Sequence, residues 1–443
     1  MFRHEKPDVV SGPDGQTHHA TDGEVEKAAS VAYDDGDERA PQPIDPIMEK
    51  RLLRKMDRNI IPLVMALYLL AFLDRSNIGN ARVAATVQAG VNSWSAMMAL
   101  RFFMGVAESG FGPGVIYYLS FFYLRHEVGF RCGLYLAAAP LANTFAGALA
   151  YGITSGHAHL ASWRLLFLVE GLPTVAMAAI TFFFLPDSPS KARFLDEEEK
   201  KIAVARGVKQ AGKADRVGGI DWKDVGATFM DPKALPVFLP TILKEMGFTA
   251  VKAQGLTAPP FLLAFLVTLA ASYIADKTQQ RGIMVMVLSA IGGVGYIMLA
   301  VAKSVGARYT GVFLAAAGIF PAIANILPWV LNNQGSDTRR GSGIVILNLV
   351  GQCGPLLGTR LYPSKQGPYY VKGQSICAAF MFFTTLLAFG LRTLLWWGNK
   401  MLDKQYGTIE DQKARAAVAE QRGEKAENMT AVEDYGPMYR YVL

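Results

Sequence analysis

Long apolar runs recur along this 443-residue chain, and they constrain its fold more than any other feature. A run of about 18 or more mostly apolar residues can cross a hydrocarbon layer roughly 30 Å thick as one helix. Charged residues crowd instead into 1–58, 187–234 and 400–443. This alternation predicts an all-α polytopic membrane protein, embedded in a lipid bilayer as a helical bundle.

Nine runs are long enough to span the membrane, and a tenth apolar segment is too short. As an α-helix, residues 235–243 would measure only about 14 Å, and they include Pro236 and Pro240. We interpret this segment as the remnant of a span. The predicted spans are 59–79, 96–123, 132–153, 163–185, 255–275, 282–302, 309–331, 343–361 and 374–397.

The alternation of apolar and polar stretches divides the chain into five parts. Cations crowd just before the first span, which places the N-terminal side in the cytoplasm. Within the central loop, the stretch FLDEEEKKIAVARGVKQ predicts a short surface helix, either a solvated linker or a site for a partner. The predicted parts are a disordered cytoplasmic tail (1–47), an N-terminal transmembrane half of four spans (48–186), a cytoplasmic central loop (187–234), a C-terminal half of a remnant and five spans (235–398) and a cytoplasmic tail (399–443).

Several functional classes are not expected. The net charge is +7, but the basic residues flank apolar spans as loop charges do, so no nucleic-acid partner is predicted. The three cysteines, Cys132, Cys353 and Cys377, match no disulfide framework and no metal spacing. The chain shows no Walker loop, zinc spacing or nucleophile elbow, so we expect neither an enzyme nor a cofactor or metal.

Ionisable residues within the spans are candidates for function, because a charge at mid-membrane costs at least about 2.5–3.5 kcal/mol. Arg101 and Glu108 are seven residues apart and share one helix face. Such a pair suits proton coupling, or it is a structural ion pair. Glu170 is either a proton carrier or the partner of a cation such as Arg164.

Other polar residues in the spans are candidates for substrate binding. Arg75, near the end of the first span, could hold a carboxylate bidentately, or it extends to water as an interfacial residue. Asn348 and Gln352 are four residues apart and face the same way. They line an aqueous cavity or bond neighbouring helices.

The motifs together resemble one family. MDRNIIPLVMALYLLAFLDRSNIGNARVA, LRFFMGVAESGFGPGVIYYLSFFY, WRLLFLVEGLPT and SYIADKTQQRG are similar to segments of the major facilitator superfamily, in its fungal anion:cation symporter branch of allantoate and nicotinate permease-like proteins. The resemblance covers roughly residues 48–405. It implies two six-helix halves that rock about a midplane site, and proton-coupled import of a small organic anion.

The resemblance also implies roles for particular residues. The Arg-Ser-Asn motif of the first span, Arg75 to Asn77, is associated with anion binding, and Arg101 with Glu108 is associated with proton coupling. The loop motif that gates the cytoplasmic face corresponds to Asp276, Lys277 and Arg281, although Ser272 stands where the motif usually has glycine.

The chain departs from the family in length. Two spans, about fifty residues, are missing between Ala85 and Ser95, and one span, about twenty residues, between Lys233 and Leu235. The bundle is therefore predicted to be incomplete. Losing a single span would turn the C-terminal half over in the membrane, and the loop charges do not decide its orientation.

Two functional hypotheses follow from the resemblance and the missing spans. The first is a monomeric, multi-pass plasma-membrane importer of protons and an organic anion, with nicotinate-like monocarboxylates ahead of allantoate or pantothenate. The second is a truncated, non-transporting protein, either a mis-spliced or degenerate copy or a substrate sensor. Because missing helices leave polar faces exposed to lipid, we expect poor transport by the chain as it stands.

Overall fold

The computed structural model describes residues 45–80, 110–155, 162–211, 254–334, 337–351, 369–412 and 439–443, with the single residues 95, 102, 361 and 414. Within these ranges the chain forms helices and short connections, and no residue lies in a β-strand. The ten α-helices are α1 (Pro46–Asn80), α2 (Phe111–Phe122), α3 (Val128–Ser155), α4 (Ser162–Phe184), α5 (Glu197–Ala211), α6 (Gln254–Thr278), α7 (Arg281–Val301), α8 (Val305–Asn332), α9 (Asp337–Gly351) and α10 (Val371–Tyr406).

Every predicted span overlaps one of these helices, and the all-α membrane fold class is confirmed. Of the predicted spans 96–123 and 343–361, most of 96–109 and all of 352–360 lie outside the described residues. Five stretches of the described chain are long and apolar enough to cross a membrane, and α2 and part of α4 are shorter apolar helices. The predicted remnant at 235–243 lies outside the described residues, as does the tail up to residue 44. The five long stretches are Pro46–Leu73, Ala258–Thr278, Arg281–Val301, Val305–Asn332 and Val371–Gln412.

Helix α3 provides the main contact between the two halves. It packs against α1 within the N-terminal half and against α6 and α8 of the C-terminal half. Helices α2 and α9 make a second contact between the halves, where Gly341 faces the Tyr117 ring. In the C-terminal half, α7 packs closely against both α8 and α10.

Glycine residues allow α7 and α8 to approach at backbone distance. A Cβ atom placed on Gly295 would lie 2.5 Å from the Ala315 nitrogen and 2.8 Å from the Gly311 oxygen. A Cβ on Gly318 would lie 2.6 Å from the Leu288 oxygen. Close approach through small residues is a usual way for helices to associate in lipid, where apolar burial supplies no driving force between them.

Helices α1, α3 and α7 meet at one end of the bundle. Arg131 at the start of α3 pairs with Asp57 in α1, just beyond the cytoplasmic cations. The start of α7 meets the same end of α3, because a Cβ on Gly129 would overlap the Arg281 guanidinium. The 276–281 loop therefore lies at the same end of the bundle as the basic stretch of α1. Because the cations before the first span predict that this end is cytoplasmic, we call it the cytoplasmic face.

Two polar segments are more ordered than the sequence predicts. The first helix begins at Pro46 rather than after residue 47, and it carries the basic stretch and the first span as one rod. At the other end of the chain, α10 continues to Tyr406. Residues 439–443, placed in a polar tail by their position, pack against the helix ends, and Tyr439 is only 1% exposed.

Candidate functional site

The cytoplasmic face is the best-defined polar region of the described chain. Here Arg281 is fully buried and its guanidinium contacts the Asp276 carboxylate at 2.5 Å. The same guanidinium fills the space beside Gly129, on the opposite half of the bundle. Two of the three predicted gating residues thus lie at the contact between the halves, whereas Lys277 is exposed at the end of α6.

Ser272 also lies at this contact, about one turn before Asp276. A Cβ on Gly133 would overlap the Ser272 side chain, so α3 supplies the small residue at this crossing. The substitution of serine for the usual glycine of the loop motif is therefore accommodated by a glycine on the partner helix. The Gly133–Ser272 crossing brings α3 and α6 close together and tightens the seam between the halves.

A bidentate ion pair fixes the cytoplasmic end of α1 to α3. The Arg131 guanidinium donates from Nε to one Asp57 oxygen at 2.7 Å and from its terminal nitrogen to the other at 2.8 Å. It also donates to the Glu127 carbonyl oxygen at 2.8 Å and stacks over the Tyr123 ring at 4.4 Å. Each hydrogen-bonding face of this guanidinium therefore has a defined partner, which sets its position.

The helix of the central loop packs against this region instead of lying free in solvent. Arg206 in α5 is 3% exposed and lies 2.8 Å from Glu49 and 2.5 Å from Glu127. Lys55 in α1 contacts Glu199 at 2.6 Å. The predicted surface helix is present, with two of its charges paired with α1, while Glu197 and Lys201 on the same helix are exposed.

Of the remaining predicted residues, the structure describes the side chain of Asn348. Asn348 is half-buried in α9 and donates to the Ile344 carbonyl oxygen of its own helix at 3.1 Å. Arg75 and Asn77 in α1 and Glu170 in α4 belong to described helices, but their side chains lie outside the described part of the chain. Arg101, Glu108 and Gln352 also lie outside the described residues.

Buried amides mark a polar interior in the C-terminal half. Asn325 and Asn332, two turns apart on α8, are at most 1% exposed, and Gln374 at the start of α10 is 4% exposed. Among the described residues, the Asn325 and Gln374 carbonyl oxygens and the whole Asn332 amide have no hydrogen-bond partner. Because burying an unpaired amide is costly, these atoms are available to a polar ligand or water.

The described residues offer no metal centre. No group of three or more histidine, cysteine, aspartate or glutamate side chains among them is placed to hold a metal ion. The cytoplasmic network can instead hold the two halves together through the close packing of Arg281 and Ser272 on α3, and release them when those contacts separate.

Sequence reasoning missed Glu127 and Arg206. Both stand in segments that look like ordinary charged loops, and only the folded chain shows that they are buried together. A usable signal existed in the helical spacing, since Glu199, Ala203 and Arg206 are four and three residues apart and share one face, which is the buried one.

Comparison with known proteins identifies the family. The family model described as Major Facilitator Superfamily matches residues 59–359. The MFS transporter prlL of a fungal species is 29% identical, covering 84% of this chain and 91% of the relative. The high-affinity nicotinic acid transporter of Saccharomyces cerevisiae is 27% identical, covering 84% and 82%. A solved proton:xylose symporter superposes with a TM-score of 0.52 at 12% identity, covering 79% of this chain and 82% of that one.

The same alignments contain positions that have no residue of this chain. The match to prlL is 455 positions long, whereas 84% of 443 residues is about 372, so about 83 positions have no residue of this chain. The difference for the nicotinic acid transporter, 444 positions against about 372 residues, is about 72. Both values support the predicted loss of about three spans, each of about 20 residues.

The family model, the curated relatives and the helical fold agree. The chain is a multi-pass helical membrane protein related to secondary transporters and not to enzymes, and it belongs to the Major Facilitator Superfamily.

Proposed function

We propose that the chain imports a small organic anion together with protons across the plasma membrane, by alternating access and as a monomer. A nicotinate-like monocarboxylate is the first candidate substrate, and allantoate and pantothenate follow. The observation that carries the proposal is the closed contact between the two halves at the cytoplasmic face, built on Arg281, Asp276 and the α3–α6 crossing. The relationship to a nicotinic acid transporter supports the substrate class.

The mechanism follows from this contact. While Arg281 fills the space beside Gly129, the cytoplasmic path is closed and substrate enters from outside. In our proposal Arg75 and Asn77 bind the anion, with Asn348 and Gln352 as further contacts. The carboxylates of Glu108 and Glu170 take up and release the proton, and Arg101, which keeps its own proton, couples to them through its charge. Release requires the halves to separate at the cytoplasmic face, which removes the packing of α3 on α6.

Uptake of labelled nicotinate by cells that lack their own carrier tests this proposal. We expect uptake to rise as the external pH falls and to collapse when a protonophore dissipates the gradient, because inward proton movement drives the anion. Glu108→Gln should flatten the pH dependence, and Arg75→Ala should abolish uptake. The exposed Lys404→Ala is the matched control and should leave uptake unchanged. Uptake that is indifferent to pH and protonophore would contradict proton coupling.

The second candidate function is a non-transporting membrane protein that binds substrate without moving it. The observation that favours it is the shortfall of about 70–80 positions against the relatives. Binding of nicotinate to purified protein without uptake by cells would establish it. Sequencing the mature transcript across the codons for Ala85–Ser95 and Lys233–Leu235 distinguishes a mis-spliced copy from a chain that lacks these helices.

A further inference from the structure

We infer that Tyr439–Leu443 is a latch: it occupies a peptide-binding groove on the cytoplasmic face and holds the two halves of the bundle closed. The groove is formed by Trp329 and Asn333 at the end of α8, Asn399 and Asp403 in α10, and Arg125 after α2. The consequence for transport rests on the proposed function, but the contacts and their test do not.

Two asparagines bind the backbone of consecutive latch residues. Asn399 accepts a hydrogen bond from the Tyr441 amide at 2.7 Å and donates to the Tyr441 carbonyl oxygen at 2.9 Å. Asn333 accepts from the Val442 amide at 2.8 Å and donates to the Val442 carbonyl oxygen at 3.0 Å. A side-chain amide that pairs with both polar groups of one residue replaces the bonds of a neighbouring β-strand. An extended peptide is the ligand that fits.

Further contacts fix the register of the segment. The Trp329 indole donates to the Val442 carbonyl oxygen at 2.8 Å, and the Gly282 amide donates to a Leu443 oxygen at 3.2 Å. The Tyr439 hydroxyl donates to the Asn333 carbonyl oxygen at 3.1 Å. Each bond comes from an element of the C-terminal half, so the segment is anchored there.

Hydrogen bonds from Arg440 hold the middle of the segment. Arg440 donates from Nε to the Asp403 carboxylate at 2.7 Å and from a terminal nitrogen to the Gly407 carbonyl oxygen at 2.7 Å. The Arg440 side chain is 11% exposed and the Asp403 side chain 43% exposed, so solvent screens the charge attraction and the directional hydrogen bonds carry most of the contact. The groove therefore recognises the Arg440 side chain as well as the backbone of the segment.

Arg125 joins the segment to the other half of the bundle. Its guanidinium stacks over the Tyr439 ring at 4.5 Å and donates to the Arg440 carbonyl oxygen at 3.2 Å. Arg125 follows α2 in the N-terminal half, whereas Asn333 and Asn399 belong to the C-terminal half. Separating the halves at this face must break these contacts, so the bound segment stabilises the closed state and must be released, at least from Arg125, for the face to open.

Peptide binding tests whether the groove exists. The probe is a fluorescein-labelled peptide with the sequence of residues 438–443, titrated by fluorescence anisotropy against purified chain lacking residues 439–443. We expect saturable binding, and at least tenfold weaker binding to the full chain, whose own segment fills the groove. Asn399→Ala in the shortened chain removes two hydrogen bonds and should weaken binding about tenfold. Lys404→Ala, exposed on the same helix, should not change it.

A distance measurement tests whether the segment is a latch. Spin labels are placed at exposed His126 and Lys277, on opposite halves, with the native cysteines replaced by alanine. Removing residues 439–443 should add a longer distance population, and the peptide should restore the short one. If the peptide does not bind the shortened chain, or binds both chains equally, residues 439–443 do not occupy a peptide-binding groove. If the peptide binds but the distances do not change, the segment does not hold the two halves closed. Neither readout depends on uptake, so a failed transport test does not affect the inference.

Discussion

The Arg131–Asp57 pair shows how one side chain positions the cytoplasmic end of a span. The guanidinium meets both Asp57 oxygens, the Glu127 carbonyl oxygen and the Tyr123 ring. Asp57 is 39% exposed, so solvent screens the charge attraction and the directional hydrogen bonds carry most of the effect. Geometry therefore matters more here than charge alone.

Arg131→Ala should lower the free energy of unfolding by about 1–2 kcal/mol, because it removes three hydrogen bonds, two of them to a screened carboxylate. Arg131→Lys should recover only part of this loss, since an ammonium cannot bind both carboxylate oxygens in a planar fork. Thermal unfolding of detergent-solubilised protein measures both variants. Arg54→Ala, exposed on the same face of the membrane, is the control. Equal stability of the lysine variant and the parent would contradict the geometric argument.

At the residue scale, sequence reasoning found charges that a motif marks and missed charges that only folding brings together. Asp276 and Arg281 were predicted as a gate and lie in contact. Asn333 and Asn399 could not be found as a pair, because 66 residues separate two amides that meet one short peptide. The roles of Arg75, Arg101, Glu108 and Glu170 remain predictions that rest on the family resemblance.

At the element scale, hydrophobic runs predicted the helices well because lipid leaves the backbone few alternatives to a helix. The sequence predictions are least accurate where the chain leaves the lipid, because the backbone there can form hydrogen bonds with water instead of a helix. The cytoplasmic extension of α1 and the buried face of α5 depend on ion pairs such as Lys55–Glu199, which composition does not reveal. Composition does not predict close helix packing either, because that packing depends on which glycines of two helices face each other.

The α7–α8 seam gives a prediction at this scale. Gly318→Ala places a methyl group against the Gly292 backbone, and backbone atoms cannot move aside as a flexible side chain can. We expect the free energy of unfolding to fall by about 1–3 kcal/mol. Gly390→Ala in α10 is the matched control, because nothing lies within 4 Å of its Cβ position. There alanine should be neutral or stabilise by about 0.5–1 kcal/mol. Thermal unfolding of both variants measures these changes. If Gly318→Ala leaves the stability unchanged, α7 and α8 do not pack at backbone distance.

For the whole molecule, the starts of α3 and α7 meet at one end of the bundle, although this chain has no residue at about 70–80 positions of the alignments. Charge counts could not predict this orientation, since the second-half loops carry equal numbers of cations on alternating sides. Contacts decide it: Gly129 packs on Arg281, and Gly133 packs on Ser272. If the two halves rock against each other, this crossing is where they must part.

Gly133→Leu should hold the cytoplasmic face open. Its side chain cannot fit beside Ser272 while α3 and α6 are in contact, so the closed state loses its packing and the open state does not. Spin labels at His126 and Lys277 should report a longer mean distance than in the parent chain. Gly390→Leu adds the same side chain where space is open and should leave the distance unchanged. If Gly133→Leu also leaves it unchanged, while the protein remains monodisperse and folded, the α3–α6 crossing is not the closure between the halves, and the mechanism proposed for import loses its gate.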